Sequence, residues 1–223
     1  MEVKPRRDRN MDAKRARILA AAAGLFGTGG YATVTTQAIS DAADVAAGTL
    51  FRYARTKADL LLMVYNEEFG AAIEDGRRAA AALAQPAEAA FALVLPVLEF
   101  NSRQPENAIA YQRELLFGQG AMLHREEGLR LVAGLEESIA TILMQAARID
   151  DEACLVEAQR AARLIFGGLH LALAQPSTHA HPGKSSVEEL SAQVALVVRG
   201  FLDTVKAAPA HFAGIETQGD KNS

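Results

Sequence analysis

Residues 35–53 constrain this chain most, because their apolar positions fit two short helices separated by a tight turn. Threonine is a good helix N-cap, so Thr35 is expected to begin a first helix that buries Ile39 and Ala43. A second helix follows from about residue 46, with Leu50 on its buried side. Small alanines at the corner allow the two helices to approach closely. The stretch therefore has the spacing of a helix-turn-helix.

The turn between these helices carries an unusual residue. Asp44 lies where the backbone is expected to need a positive φ, which glycine adopts most easily and aspartate tolerates. Val45 is expected to fill the angle between the two helices. An alanine-rich helical pair can imitate this spacing, so the flanking sequence has to decide the interpretation.

The flanks favour a specific domain. Upstream, residues 17–26 predict an amphipathic helix that glycines close before Tyr31. Downstream, Thr56 can cap a further helix, in whose first turn Asp59 is favourable. With these flanks, residues 14–65 resemble the TetR family of bacterial transcriptional repressors. The resemblance rests on the first helix, a Gly-Tyr turn, Thr-Thr before Ile, Val in the turn, Gly-Thr-Leu-aromatic-Arg, and Lys before a Leu pair.

The resemblance implies a set of DNA contacts. Within that set, Gln37 and Thr49 are expected at base edges, since an amide can pair bidentately with adenine. Thr36 and Lys57 are expected at phosphates. The positions that match DNA-contacting positions of the family are Thr36, Gln37, Ala47, Gly48, Thr49, Phe51, Tyr53 and Lys57.

Three positions depart from the family pattern. Asp44 replaces the usual turn glycine, Phe51 the usual phosphate-contacting tyrosine, and Ala54 a common aromatic residue. Phe51 has no hydroxyl to donate to a phosphate, so one backbone contact of the family is in question. We interpret these departures as variation within a DNA-binding module.

The predicted fold class is all-α, with an N-terminal three-helix helix-turn-helix domain and a C-terminal helical ligand-binding and dimerisation domain. Residues 1–10 are expected to form a disordered basic tail, 11–56 the DNA-binding domain, 57–206 the larger helical domain and 207–223 a flexible tail. Glutamine-proline pairs end several helices, because proline lacks the amide hydrogen. The helices expected beyond the first domain cover about 57–84, 87–103, 106–118, 122–148, 151–174 and 187–206.

Charge is distributed unevenly along the chain. The 223 residues carry a net charge of −4, yet the first 60 hold ten Lys and Arg against six Asp and Glu. The N-terminal part is therefore positive and the remainder strongly negative, which suits binding of DNA by one end. No apolar run is long enough for a membrane span, and a single cysteine, Cys154, fits a reducing compartment. We expect a cytoplasmic protein without membrane contact.

The last two predicted helices carry wide apolar bands. The resemblance implies that they form a four-helix interface with the same helices of a second subunit, which makes a homodimer. The alternative, that these residues bury only their own domain, stays open. The residues assigned to the interface are Ile165, Phe166, Leu169, Leu173, Val194, Val198 and Phe201.

A ligand cavity is expected in the larger domain by resemblance, although each candidate taken singly is more often ordinary core. The excess of Ala, Leu and Val and the absence of Trp favour an apolar or amphipathic effector. Arg113 and His124 are further polar candidates. The residues assigned to the cavity are Phe91, Leu95, Phe100, Tyr111, Glu114, Phe117, Met122, Met144, Phe166 and His170.

Enzymatic motifs are absent from the sequence. It has no glycine-rich phosphate loop, no Gly-x-Ser-x-Gly elbow and no cysteine cluster for zinc, so neither catalysis nor a cofactor is expected. His179 and His181 lie in a loop more typical of solvent than of a metal site. The expected function is a ligand-responsive repressor that binds a near-palindromic operator as a homodimer. An architectural DNA-binding protein without effector, or a helical enzyme, are the alternatives.

Overall fold

The computed structural model describes residues 6–119, 123–149, 151–178 and 183–207, and within these ranges every regular element is a helix. The prediction of an all-α fold is confirmed. The helices are α1 (Arg6–Thr33), α2 (Thr36–Ala42), α3 (Ala47–Leu50), α4 (Lys57–Ala80), α5 (Pro86–Ser102), α6 (Pro105–Phe117), α7 (Leu123–Ala147), α8 (Glu152–Thr178) and α9 (Ser186–Ala207).

The first three helices form the expected helix-turn-helix. The Thr35 hydroxyl oxygen accepts a hydrogen bond from the amide of Ala38 at 3.1 Å, which satisfies a free N–H group at the start of α2. Ile39 and Leu50 are fully buried between α1, α2 and α3. Asp44 adopts a φ of 51°, as predicted for the turn. Its carboxylate lies 3.2 Å from the Arg17 guanidinium.

The long helix α4 joins the two parts of the chain. It begins at Lys57, the first residue of the predicted second domain, and Thr56 caps it by accepting from the amide of Asp59. Its first three turns are buried on most sides, and its C-terminal half packs closely on α5. At Gly76 the two backbones are so close that a Cβ would lie 2.2 Å from the carbonyl oxygen of Leu93.

Several helix ends differ from the sequence-based expectation. Helix α4, expected to reach about residue 84, ends at Ala80, and α1, expected to close at the glycines before Tyr31, continues to Thr33 across a non-helical Gly30. Helix α1 begins at Arg6, so residues 6–10 of the expected disordered tail are helical.

Helix α8 continues past the predicted break at Gln175 and ends at Thr178. A proline in the last turn costs the helix one backbone hydrogen bond, because proline has no amide hydrogen. Only a short part of α8 follows it, and the helix continues there without that bond. The expected C-terminal tail beyond residue 207 lies outside the described residues.

The assignment of partner-facing residues on α8 and α9 requires correction. Ile165, Leu169, Leu173, Val194, Val198 and Phe201 are all buried within the single chain, and Phe166 is partly buried against the same core. These side chains hold α8 and α9 to each other and to α5 and α7, because the inner side of each apolar band is needed for the chain's own core. The outer side instead exposes Leu164, Leu171 and Leu196 by 65%, 69% and 61%.

Candidate DNA-binding surface and effector cavity

The eight predicted DNA-contacting residues lie on α2, on α3 with its following turn, and at the first position of α4. Gln37, Ala47, Gly48 and Phe51 are exposed, and Thr36, Thr49, Tyr53 and Lys57 are half-buried. The Gln37 amide nitrogen donates to a carboxylate oxygen of Asp41, one helical turn away, at 2.7 Å. That bond holds the amide on the outer face of α2.

Besides Gln37, two more of these side chains are already bound within the protein. The Tyr53 hydroxyl donates to the carbonyl oxygen of Met11 at 3.2 Å, which ties the turn after α3 to α1. The Lys57 ammonium donates to the carbonyl oxygens of Tyr31 at 2.8 Å and Ala32 at 3.3 Å, and lies 4.5 Å from the centre of the Tyr31 ring. In this structure Lys57 therefore stabilises the end of α1, and a phosphate contact would have to replace these bonds.

The first turn of α6 binds the C-terminal end of α1 through three polar side chains. The Gln104 amide donates to the carbonyl oxygen of Gly27 at 2.7 Å, and the Asn107 amide donates to that of Phe26 at 2.8 Å. Glu106 accepts from the amide of Ala32 at 2.7 Å. We call these three residues, Gln104 just before α6 and Glu106 and Asn107 in its first turn, the α1 clasp. It joins the DNA-binding helices directly to the larger domain.

A small cavity lies between α4, α5, α6 and α8. Its volume is about 20 Å³, room for about one water molecule. Of the ten residues predicted to surround a ligand, Tyr111, Phe166 and His170 line it. The complete lining consists of Phe69, Val97, Asn101, Tyr111, Gln112, Leu115, Phe166, Leu169, His170 and Leu173.

Two polar atoms of this lining have no hydrogen-bond partner among the residues that the structure describes. They are the Asn101 Oδ1 acceptor and the Gln112 Nε2 donor, although Asn101 also donates from Nδ2 to the carbonyl oxygen of Val97 at 2.8 Å. A buried polar group without a partner costs about 1–3 kcal/mol. The cavity thus presents one free donor and one free acceptor among largely apolar walls.

Burial controls the ionisation of the other polar residues at the cavity. It lowers the pKa of His170, whose Nδ1 lies 3.0 Å from the carbonyl oxygen of Phe166. The imidazole also makes an edge contact with the Phe166 ring at 4.2 Å between centroids. Burial raises the pKa of Tyr111 far above its usual value, so its phenol is a neutral donor. At neutral pH the cavity is uncharged.

The remaining residues predicted for the cavity lie elsewhere. Phe117 is 78% exposed, and Glu114 pairs with Arg113 at 3.0 Å on the surface of α6. Phe100 packs on the ring of Tyr65. Phe91 and Leu95 are partly buried on α5 outside the cavity lining, Met144 lines a groove between α7 and α8, and Met122 lies outside the described residues.

Sequence reasoning missed Asn101 and Gln112. Both are polar residues on otherwise apolar helix faces, Asn101 one turn after Val97 in α5 and Gln112 one turn after Ala108 in α6. A polar side chain that interrupts an apolar helix face is the signal that could have identified them. Leu169 and Leu173 were assigned to the dimer interface, yet they form the α8 wall of the cavity.

Two larger grooves open to solvent at other places. One, of about 590 Å³, lies at the end of the molecule away from the helix-turn-helix and includes Arg77 and Leu202 in its lining. Arg77 already bonds to Ser138 and to the carbonyl oxygen of Gly134. The other, of about 540 Å³, lies between α7 and α8 and is lined by Glu136 and Arg163 among others.

Metal and membrane features were also sought among the described residues. They contain no group of three or more His, Cys, Asp and Glu side chains arranged to hold a metal ion. None of their helices is long and apolar enough to cross a membrane. His179 and His181 lie outside the described residues.

Comparison with known proteins gives consistent relatives. Residues 18–64 match the family described as bacterial regulatory proteins, tetR family. The HTH-type transcriptional repressor KstR of Mycobacterium tuberculosis is 33% identical over 108 residues, 48% of this chain and 49% of KstR. KstR of Rhodococcus jostii is 45% identical over 56 residues, 25% of this chain and 26% of that protein. The matches thus span at most about half the length of these curated relatives.

Solved structures extend the likeness over most of the chain. FadR of Thermus thermophilus, a TetR-family repressor in complex with lauroyl-CoA, has a TM-score of 0.64 and 26% identity, covering 83% of this chain and 94% of FadR. FadR of Bacillus subtilis in complex with stearoyl-CoA has a TM-score of 0.61, covering 83% and 98%, and at 22% identity it shows the fold alone. The helix-turn-helix described above is thus matched by the tetR family over residues 18–64, and the chain is similar in fold over 83% of its length to a TetR-family repressor.

Proposed function

We propose that this protein is a transcriptional repressor that binds a near-palindromic operator as a homodimer and releases it when a small amphipathic effector enters the cavity between α4, α5, α6 and α8. One observation carries the proposal: a chain with an exposed helix-turn-helix also holds an apolar cavity with a free hydrogen-bond donor and acceptor, on Gln112 and Asn101. One α6 helix both lines this cavity and binds the end of α1.

The operator contacts follow from the exposed faces of α2 and α3. Gln37 and Thr49 are proposed to read base edges, and Thr36 to bind a phosphate. Gln37 has to exchange its bond with Asp41 for a bond to a base, which the flexible side chain on an exposed face permits. Phe51, exposed where the family commonly has tyrosine, is proposed to supply an apolar contact and no hydrogen bond.

Two subunits are needed because a single helix-turn-helix contacts a short stretch of DNA. In the proposed dimer, Leu164 and Leu171 of α8 and Leu196 of α9 pack on the same residues of a second copy. Gly167 and Gly200 lie beside them with open space around each, so another helix can approach closely. The two recognition surfaces would then meet half-sites about 34–36 Å apart.

The effector is proposed to combine an apolar chain with a polar group of the amide or thioester kind. Phe69, Leu115 and Leu169 provide apolar walls. The Gln112 Nε2 group can donate to a carbonyl oxygen, and Asn101 Oδ1 can accept from an N–H or hydroxyl group. The lauroyl-CoA bound by Thermus thermophilus FadR makes acyl-CoA thioesters the first class to test.

Release of DNA is proposed to run through α6. A cavity of about 20 Å³ has to expand for any acyl chain, and Tyr111 and Gln112 place α6 on its wall. The same helix carries the α1 clasp at its first turn, so a displaced α6 pulls on the DNA-binding helices. The coupling expected of such a device is about 1–3 kcal/mol, and it is reciprocal between effector and operator.

The test is footprinting of the purified protein on the DNA that flanks its own gene, repeated with lauroyl-CoA, free laurate and free coenzyme A. We expect one protected near-palindrome that lauroyl-CoA releases and that Gln37→Ala weakens at one base position, at a cost of about 1–3 kcal/mol. Protection without sequence preference and without release would favour an architectural protein. Release by none of the three compounds would refute the proposed effector class.

A further inference from the structure

A line of three hydrogen bonds connects the cavity to the DNA-binding domain. The hydroxyl of Tyr111, a residue that lines the cavity, donates to Asn66 Oδ1 at 2.9 Å. The Asn66 Nδ2 group donates to the main-chain carbonyl oxygen of His124 at 2.7 Å. The His124 ring places Nε2 at 3.0 Å from the carbonyl oxygen of Tyr53. We call this line, from Tyr111 through Asn66 and His124 to Tyr53, the relay.

The relay is built into tightly packed parts of three helices. Asn66 and His124 are buried polar residues, and both polar atoms of the Asn66 amide are used. Gly128, one turn after His124 on α7, faces the same amide. A Cβ at that position would lie 2.7 Å from Asn66 Oδ1 and 2.7 Å from Leu115 Cδ1, so glycine permits α7 to approach α4 and α6 here.

Both ring nitrogens of His124 face oxygen acceptors. Nε2 has the carbonyl oxygen of Tyr53, and Nδ1 lies 3.2 Å from a carboxylate oxygen of Glu127 on the same helix. The bond to Tyr53 requires a hydrogen on Nε2, because a carbonyl oxygen accepts and does not donate. Glu127 can accept from Nδ1, and so orient the ring from the opposite side, only when Nδ1 carries a hydrogen as well.

The carbonyl oxygen of Tyr53, which accepts the last bond of the relay, belongs to the turn that follows α3. Tyr53 lies three residues beyond the end of this helix, and the amides of Tyr53 and Ala54 both donate to the carbonyl oxygen of Leu50, the last residue of α3. A shift of the Tyr53 carbonyl therefore shifts the turn that fixes the end of α3. The side chain of Tyr53 is held separately, by its bond to Met11.

We propose that Asn66 and His124 are positioning residues, through which the state of the effector cavity sets the end of α3. The inference rests on the proposed function and adds a second route beside the α1 clasp. An effector that displaces the Tyr111 hydroxyl breaks the hydrogen bond that this hydroxyl donates to Asn66 Oδ1. That bond orients the Asn66 amide. The Asn66 amide then no longer holds the main-chain carbonyl of His124 at the start of α7. The His124 ring moves with the start of this helix and loses its hydrogen bond to the carbonyl oxygen of Tyr53.

Hydrogen–deuterium exchange of the full chain tests the relay without any ligand. The amides of Tyr53 and Ala54 should exchange about tenfold faster in His124→Leu and about threefold faster in Tyr111→Phe, which keeps the ring at the cavity. His124→Gln retains a donor near the Nε2 position and should restore slow exchange. If the His124 ring only filled space, His124→Leu and His124→Gln would not differ in the exchange of these two amides.

Ser138→Ala provides the matched control. Ser138 also joins α4 to α7, by accepting from Arg77 at 3.0 Å, but at the end away from the DNA-binding domain. This variant should leave exchange at Tyr53 and Ala54 unchanged. If Tyr111→Phe behaves like Ser138→Ala at these two amides, the relay is refuted. If His124→Leu speeds exchange everywhere, including the contact of α4 with α5, it reports global destabilisation, and the comparison of Tyr111→Phe with Ser138→Ala decides.

The functional consequence is measured with lauroyl-CoA as the probe and the footprinted DNA as the target. His124→Leu should reduce the effect of lauroyl-CoA on operator affinity by about tenfold, while lauroyl-CoA binding to the free protein stays the same. Unchanged coupling in this variant would contradict the relay. Absence of lauroyl-CoA binding to the wild-type protein would instead refute the proposed effector class, and the exchange comparison would still decide on the relay.

Discussion

The contact between α4 and α5 at Gly76 permits a quantitative test of the packing. A Cβ added there would lie 2.2 Å from the carbonyl oxygen and 2.8 Å from the carbonyl carbon of Leu93. Close carbon–oxygen contacts of this kind are ordinarily about 3.3 Å, so the two helices would have to separate by about 1 Å. The obstacle is main chain, which cannot rotate away as a flexible side chain does.

Gly70 in the same helix provides the matched control. A Cβ there would lie 3.6 Å from Leu131 Cδ2, an ordinary contact. Replacing glycine by alanine within a helix favours folding by about 1 kcal/mol in both variants. Forced separation of packed helices costs about 1–3 kcal/mol, and a main-chain obstacle puts Gly76 at the upper end. We therefore expect Gly76→Ala to lose about 2 kcal/mol and Gly70→Ala to gain about 1 kcal/mol.

Urea unfolding followed by far-UV circular dichroism measures this difference of about 3 kcal/mol in the free energy of unfolding. All proteins are compared at one concentration, because dimerisation would add to apparent stability. An equal gain in stability for both variants would show that α4 and α5 are further apart at Gly76 than the 2.2 Å between an added Cβ and the carbonyl oxygen of Leu93 implies. The close approach of the two helices would then be refuted.

Three further predictions concern the turn, the helix pair α8–α9 and the cavity. Asp44→Gly should stabilise the protein by about 0.5–1 kcal/mol in urea unfolding, because glycine adopts the φ of 51° without strain and the exposed ion pair with Arg17 contributes little. Leu196→Asp should give a folded monomer in light scattering, whereas Phe201→Asp should unfold the chain in circular dichroism. Burial lowers the pKa of His170 in the folded state, so the unfolded chain binds more protons below about pH 6.5. Stability should fall as the pH falls through that value, and less steeply in His170→Gln.

A specific experimental result would contradict each of these three predictions. A loss of stability in Asp44→Gly would mean that the ion pair with Arg17 outweighs the backbone strain. Dimeric Leu196→Asp at micromolar concentration would remove the outer face of α9 from the proposed interface. An identical pH dependence of unfolding in wild type and His170→Gln would show that His170 is not protonated differently in the folded and unfolded chains.

Local sequence signals determined the helix-turn-helix. Thr35 and Thr56 cap helices because a threonine hydroxyl satisfies an amide of the next turn, a bond that depends on residues three apart. The positive φ at Asp44 is likewise a property of a tight turn. Most helix starts were predicted within a few residues, whereas α1 begins earlier, at Arg6, α4 ends earlier, at Ala80, and α8 passes its proline.

Tertiary structure decided which side of each apolar band faces the chain's own core. From the sequence, Leu169, Leu173 and Phe201 fitted either an internal core or a partner, since helical periodicity gives the faces and not their neighbours. The same limit explains Lys57, whose bonds to the carbonyls at Tyr31 and Ala32 join residues 25 or more positions apart. Contacts between helices distant in sequence depend on the packing of the whole chain.

The cavity and the relay show this division most clearly. The sequence by itself determined the all-α class, the family and the DNA-reading module, because these rest on residues close together along the chain. Asn101 and Gln112 became cavity residues only when α5 and α6 packed on α8. Asn66 forms its hydrogen bond with the carbonyl of His124 only because Gly128 allows α7 to lie against α4. Periodicity specifies that a helix has a buried face, and steric complementarity between distant helices decides what that face touches.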